Sequence, residues 1–129
     1  MPTPQPGSIG WLDLTVDNAD EVRDFYAAVV GWTSQPVPMG DYSDYCMKPD
    51  DAADPVAGIC HAAGPNTGLP AVWLMYITVA DLGAAIAACT AKGGEVLQRR
   101  EPDSHGQMAV IRDPAGAVCA LYQPAKATL

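Results

Sequence analysis

Two stretches of the chain alternate apolar and polar side chains with period two, and each is followed by a run with helical spacing. In the first, Leu12, Leu14 and Val16 fall on one side of an extended strand and Trp11, Asp13 and Thr15 on the other. In the second, Met75, Ile77 and Val79 lie opposite Leu74, Tyr76 and Thr78. One face of each strand is thus apolar and suited to packing under a helix, while the other is mixed, as a cavity lining is. Asp17 or Asn18 then caps a helix in which Val22, Phe25, Tyr26 and Val29 form the stripe and Gly31 the stop. Asp81 caps a second helix, with Leu82, Ala85, Ile86 and Cys89 as its stripe before Gly93-Gly94. Short β-like runs follow each helix, at residues 37–39, 42–47 and 56–61, and again at 95–98, 108–112 and 117–122. The turn Asp113-Pro114-Ala115-Gly116 has hairpin chemistry between the last two.

The two stretches are copies of one another. Residues 11–35 overlie residues 74–98 at a constant offset of 63, which places Thr15-Val16 on Thr78-Val79, Ala28 on Ala91, Gly31 on Gly94 and Gln35 on Gln98. The shared order of strand, helix and three strands carries more weight than these identities. It predicts one α+β domain of two tandem βαβββ modules, at about residues 8–62 and 71–123, joined by a linker at 62–70. A ferredoxin-like domain, the chief rival, runs βαββαβ instead.

Three motifs stand in order along this framework: Phe25-Tyr26 with Val30-Gly31-Trp32, then Trp73, Tyr76 and Val79-Ala80-Asp81, then Arg112-Asp113-Pro114 with Gly116. Together they resemble the vicinal oxygen chelate superfamily of glyoxalases, bleomycin-resistance proteins and dioxygenases, over nearly the whole chain from about Ile9 to Gln123. The resemblance implies a glyoxalase/bleomycin-resistance fold, in which the two modules form cupped mixed sheets around a cavity. It also implies metal ligands, usually His, Glu or Gln, on the cavity face of the first and last strand of each module. Carried over by position, these sites fall on Trp11, Leu74, Ala120 and near His61. Three of the four side chains have no metal-binding donor, so the expectation is no metal in the usual position and no cofactor.

The expected ligand-binding residues are Trp11, Asp13, His61, Leu74, Tyr76, Ala120 and Tyr122. Asp13 stands out because it sits mid-strand between two leucines and needs a partner if buried. A His61/Asp13 pair sharing the cavity with Tyr76 is suited to proton transfer, whereas a strand-end histidine bonded to backbone or water is the plainer alternative. Trp11 and Tyr76 either stack on a planar or cationic ligand or fill the space of a lost metal site. Trp73 shares parity with Met75 and Ile77 and is assigned to the core. His105 lies in a polar loop at 103–107, and Arg112 either pairs with a carboxylate of the Asp113 turn or anchors an anionic ligand. No phosphate loop, nucleophile elbow or HExxH is present. Cys60 and His61 adjoin in a strand and so point to opposite faces, which counts against a catalytic dyad.

Composition narrows the partners. The chain has 129 residues, 49% apolar and 17% charged, as a globular domain does. Seven basic against fifteen acidic residues give a net charge of −8, unsuited to nucleic acid and consistent with solubility or with a cationic small molecule. No apolar run approaches the ~20 residues that span a bilayer, which leaves no expected membrane partner. The Pro-rich residues 1–7 are no secretory signal and read as a disordered lead-in. Cys46, Cys60, Cys89 and Cys119 match no metal pattern and read as small buried hydrophobes in a reducing, cytoplasmic setting. Three functional readings remain: a metal-free binding protein that sequesters an apolar or cationic compound, a metal-dependent lyase, isomerase or oxygenase, and an accessory domain with a vestigial cavity. Exposed sheet edges, together with the resemblance, imply a homodimer.

Overall fold

In a computed structural model describing residues 4–126, the two alternating stretches form strands β1 (Ile9–Val16) and β5 (Trp73–Thr78). Each leads into a helix, α1 (Ala19–Val30) or α2 (Leu82–Ala91). Three strands follow each helix: β2 (Thr33–Pro38), β3 (Ser43–Lys48) and β4 (Ala57–His61), then β6 (Glu95–Arg99), β7 (Gly106–Arg112) and β8 (Val118–Pro124). The order is mixed α+β with βαβββ repeated, as the pattern predicts. The chain forms two compact units, one of residues 11–73 and one of residues up to 10 and from 74 onward.

In the first unit the strand order is β2-β3-β4-β1, with β1 and β4 parallel and the other pairs antiparallel. Register sets Leu14 beside Ile59 and Asp13 beside Gly58. Strand alternation then sends Ile59, Tyr45 and Met47 into a core under α1 with Ala19, while Val16, Val22, Tyr26, Trp32 and Trp73 close around it. Trp73 is a core residue as its parity predicts, and its Nε1–H donates to Tyr26 Oη at 3.1 Å. Gly31 ends α1 in the left-handed region at φ 78°, with its N–H on Ala27 O. Asn18 occupies the N-cap position, but its side chain makes no cap bond and donates instead to Glu21 Oε1 at 2.8 Å. Strand β2 starts four residues before the predicted 37–39 run. Gln35 and Pro36 disguise it, and Pro36 is tolerated because β2 is the edge strand of its order and pairs only with β3.

The second unit repeats the plan in the order β5-β8-β7-β6, with β5 and β8 parallel. Leu82, Ala109, Ile111 and Leu121 form its buried core beneath α2, packed by Ile77, Val79, Ala85, Ile86, Cys89, Val96 and Cys119. Asp81 caps α2 by accepting from Ala84 N–H at 3.0 Å. Asp113 accepts from the N–H groups of Ala115 at 2.8 Å and Ala117 at 3.0 Å and shapes the β7–β8 hairpin. Arg112 does not pair with that turn; it reaches across to Glu95, 3.0 Å away on the neighbouring strand. The expected disordered lead-in is corrected over residues 5–8. Gly7 N–H donates to Thr78 O at 2.7 Å and Thr78 N–H to Ser8 O at 2.8 Å, which ties this segment to β5. Met1 to Thr3 lie outside the described residues.

Candidate ligand-facing sheet surface

The face of the first half-sheet turned away from α1 carries Trp11, Asp13, Gly58 and Cys46, because Asp13 pairs with Gly58 and Gly58 with Cys46 in register. Trp11 and Asp13 sit two residues apart, hence on the same side, and the indole Nε1–H donates to Asp13 Oδ1 at 2.5 Å. Gly58 makes room for this arrangement. A Cβ there would collide with Asp13 Oδ1 and lie 3.3 Å from its Cγ and 3.5 Å from Trp11 Nε1. The carboxylate therefore takes the space that a side chain at Gly58 would fill, with the indole N–H as its donor. Its charge reaches Cys46: burial, and then Asp13, push that thiol above the usual cysteine range. Cys46 is thereby kept as a neutral thiol, not a nucleophilic thiolate.

His61 is not on this face. It pairs with Val16 in register, the parity that packs under α1. Its Nε2 lies 3.5 Å from Asp20 Oδ1 on α1, and its Nδ1 lies 3.4 Å from Asp44 Oδ1 without hydrogen-bonding alignment. The same Asp44 oxygen accepts from His61 N–H at 2.8 Å. Tyr45 Oη donates to Asp20 Oδ1 at 2.5 Å, a bond that, followed by burial, raises the phenol above its usual range. Arg23 stacks on the Tyr45 ring at 4.6 Å, and Tyr42 packs edge-on against the imidazole at 5.1 Å. The expected Asp13/His61 pairing is thus corrected. One extra residue of strand parity puts the histidine into a clasp between helix and hairpin, on the opposite side of the sheet from Asp13.

In the second unit, Leu74, Tyr76, Ala120 and Tyr122 share the strand face opposite the α2 core, as predicted, since Tyr76 pairs with Ala120 and Thr78 with Tyr122. Leu74 and Ala120 are buried at 4% and 0% exposure. Tyr122 Oη donates to the backbone oxygen of His105, so the phenol fixes the 103–107 loop. Gly106 in that loop takes φ 139° with Gln123 O standing where a Cβ would be, a site closed to any side chain. His105 is exposed and contributes backbone groups to this fixing. Sequence reasoning missed Gly58 and the Asp20–His61–Asp44 clasp. The first was readable as the glycine that interrupts an apolar strand (Val56 to Cys60), the usual mark of a close approach.

The family model for the "Glyoxalase/Bleomycin resistance protein/Dioxygenase superfamily" matches residues 8–121. Among curated proteins, the chain is 33% identical over 122 residues to CFP32 of Mycobacterium bovis, a protein named as a candidate glyoxylase, covering 94% of this chain and 46% of that one. It is 30% identical over 130 residues to the anthracycline biosynthesis protein DnrV of Streptomyces peucetius, covering 92% of this chain and 47% of that one. The chain therefore spans about half the length of the curated relatives it matches. Among solved structures, methylmalonyl-CoA epimerase from Mycobacterium tuberculosis superposes with a TM-score of 0.56 at 15% identity, covering 98% of this chain and 93% of that one. At that identity the likeness shows the fold.

Proposed function

We propose, for a chain that belongs to the glyoxalase/bleomycin resistance protein/dioxygenase superfamily, that it binds a small cationic or amine-bearing compound through the face carrying Asp13. The observation that supports this most is the carboxylate held by Trp11 Nε1–H above Gly58 on the strand face turned away from α1. A fixed carboxylate beside an indole offers an ion pair and a cation–π surface to one ligand nitrogen. The net charge of −8 favours approach of a cation.

The superfamily's usual metal does not fit the residues present. Trp11, Leu74 and Ala120 have no ligating atom, and His61 is turned to Asp20 and Asp44 beneath α1. Among the described residues, no three His, Cys, Asp or Glu side chains come together as a metal site. A second reading, enzymatic turnover with Asp13 as a proton acceptor, draws support from relatives named for glyoxylase and biosynthetic roles. We further propose a homodimer in a reducing, cytoplasmic setting; among the described residues no helix is long and apolar enough to cross a membrane.

The test is a thermal-shift and calorimetric screen of aromatic amines, with neutral isosteres alongside, on the wild type and Asp13→Asn. Saturation at 100 times the dissociation constant adds roughly 2.7 kcal/mol of stability. The expected result is binding of amines only, weakened at least about tenfold in Asp13→Asn, as loss of a charged hydrogen bond of ~1.5–3 kcal/mol implies. Amine binding of equal strength in the variant removes Asp13 from the site. Product formation during the same incubations would favour the second reading.

A further inference from the structure

We infer that the C-terminal half of α1 and strand β2 form the surface on which a second copy of this chain docks. The inference rests on the homodimer reading above and adds its location.

Residues 25–40 (FYAAVVGWTSQPVPMG) contain no charged side chain, in a chain with 22 of them. None of these sixteen residues is buried. Phe25, Val29 and Val30 are exposed at 56%, 61% and 53%, and Met39 at 46%. Only Tyr26 and Trp32 of this stretch turn inward, joining Trp73 in the aromatic part of the core. A helix end that is apolar on every side belongs in an interior, yet here one side of it has a partner and the rest faces solvent. The uncharged stretch runs on along the chain through β2, where Val37 is exposed, to Met39 just past its end, which is exposed as well. With Tyr26 and Trp32 turned inward, the other fourteen residues make up roughly half to two-thirds of the roughly 20–30 a side of a stable protein interface, the rest coming from their neighbours on α1.

The chemistry of the patch selects its occupant. Pro36 and Pro38 remove backbone donors from the β2 edge, which disfavours a partner that adds a strand. Without a lysine or arginine, the surface offers nothing to phosphates or anionic lipid, and the net charge of −8 repels both. Two chains of that charge can meet at low cost only where their own charges are absent, and this stretch supplies such a place. A two-fold contact sets the patch against itself, Phe25 and Val29 of one α1 against the same residues of the other, with the acidic first turns held apart.

The experiment is sedimentation velocity on the full chain from about 1 to about 100 μM, a span that resolves micromolar association, for the wild type, Phe25→Asp and Val29→Asp. Hydrogen exchange of residues 25–32 is followed at both ends of the range. The expected result is a wild-type dimer whose exchange in 25–32 slows with concentration, and a shift of at least about 100-fold toward monomer in both variants. Far-UV circular dichroism confirms that each variant keeps its helices; should either unfold, the concentration dependence of exchange in the wild type decides alone. A dimer that persists in folded variants, or whose 25–32 exchange ignores concentration, overturns this surface and leaves the dimer standing. A wild-type monomer throughout overturns both. Amine binding at Asp13 is measured separately and is touched by neither result.

Discussion

Gly58 is the residue on which the candidate site turns, although it offers no functional group. Its missing Cβ leaves the volume into which Asp13 Oδ1 settles, with Trp11 Nε1–H as donor. Gly58→Ala forces either the carboxylate or the strand to move. A side-chain shift is the cheaper response, so the expected stability change is about 1 kcal/mol, at the low end for small-to-large substitution. The same shift parts Asp13 from the indole, and Trp11 fluorescence should change with it. The expected outcome is a folded protein with altered tryptophan emission and weakened amine binding. An unchanged emission spectrum and affinity would mean that the carboxylate does not depend on this space. Asp13 itself was legible in the sequence as a lone carboxylate between leucines. Its orientation was not, because that depends on which residue of β4 lies beneath it, and register is not written in either strand alone.

At the scale of elements, α1 is held to its half-sheet by packing of Val22 and Tyr26 and by the polar clasp of Asp20, His61, Asp44 and Tyr45. The outer half of the clasp is weak, since Asp20 is 66% exposed and its pairing is screened by water. The inner half is held by the His61 backbone N–H, which donates at 2.8 Å to Asp44, a carboxylate only 10% exposed and in need of hydrogen bonds. His61→Ala removes the imidazole and keeps the N–H that Asp44 accepts. The expected cost is therefore about 1–2 kcal/mol, seen as a lower urea midpoint with faster amide exchange in α1 and unaltered exchange in α2. Equal acceleration in both helices would show that the clasp has no local role. Element existence was readable here where a repeat backed it: helix caps at Asp81 and Gly31 and the Asp113 hairpin follow from local chemistry. The start of β2 was hidden by Pro36, and His61 was assigned to the cavity face by an alignment uncertain by one residue. One residue in a strand is the difference between two faces.

For the molecule as a whole, three acidic groups share one direction of shift. Burial, then Asp113 and Cys89, raise the Cys119 thiol; burial, then Asp13, raise that of Cys46; the bond to Asp20 raises the Tyr45 phenol. Each ionises later in the folded chain than in the unfolded one. The stability they contribute is therefore complete below the unfolded thiol value of about 8.5, and it is lost as pH rises through the folded values. General repulsion in a chain already at −8 acts in the same direction, so a falling urea midpoint between pH 7 and 9.5 does not by itself identify the groups. Salt separates the two causes. Long-range repulsion is screened within a Debye length of ~3 Å at 1 M salt, whereas the desolvation of a half-buried thiol is not. In 1 M NaCl the wild type should still lose stability over this range, and Cys46→Ala/Cys119→Ala should lose less, its remaining slope moving toward the tyrosine range near ~10. If the double variant and the wild type fall in parallel at high salt, the thiols make no contribution. The alkaline limit would then be set by Tyr45 and the bond that ties it to α1.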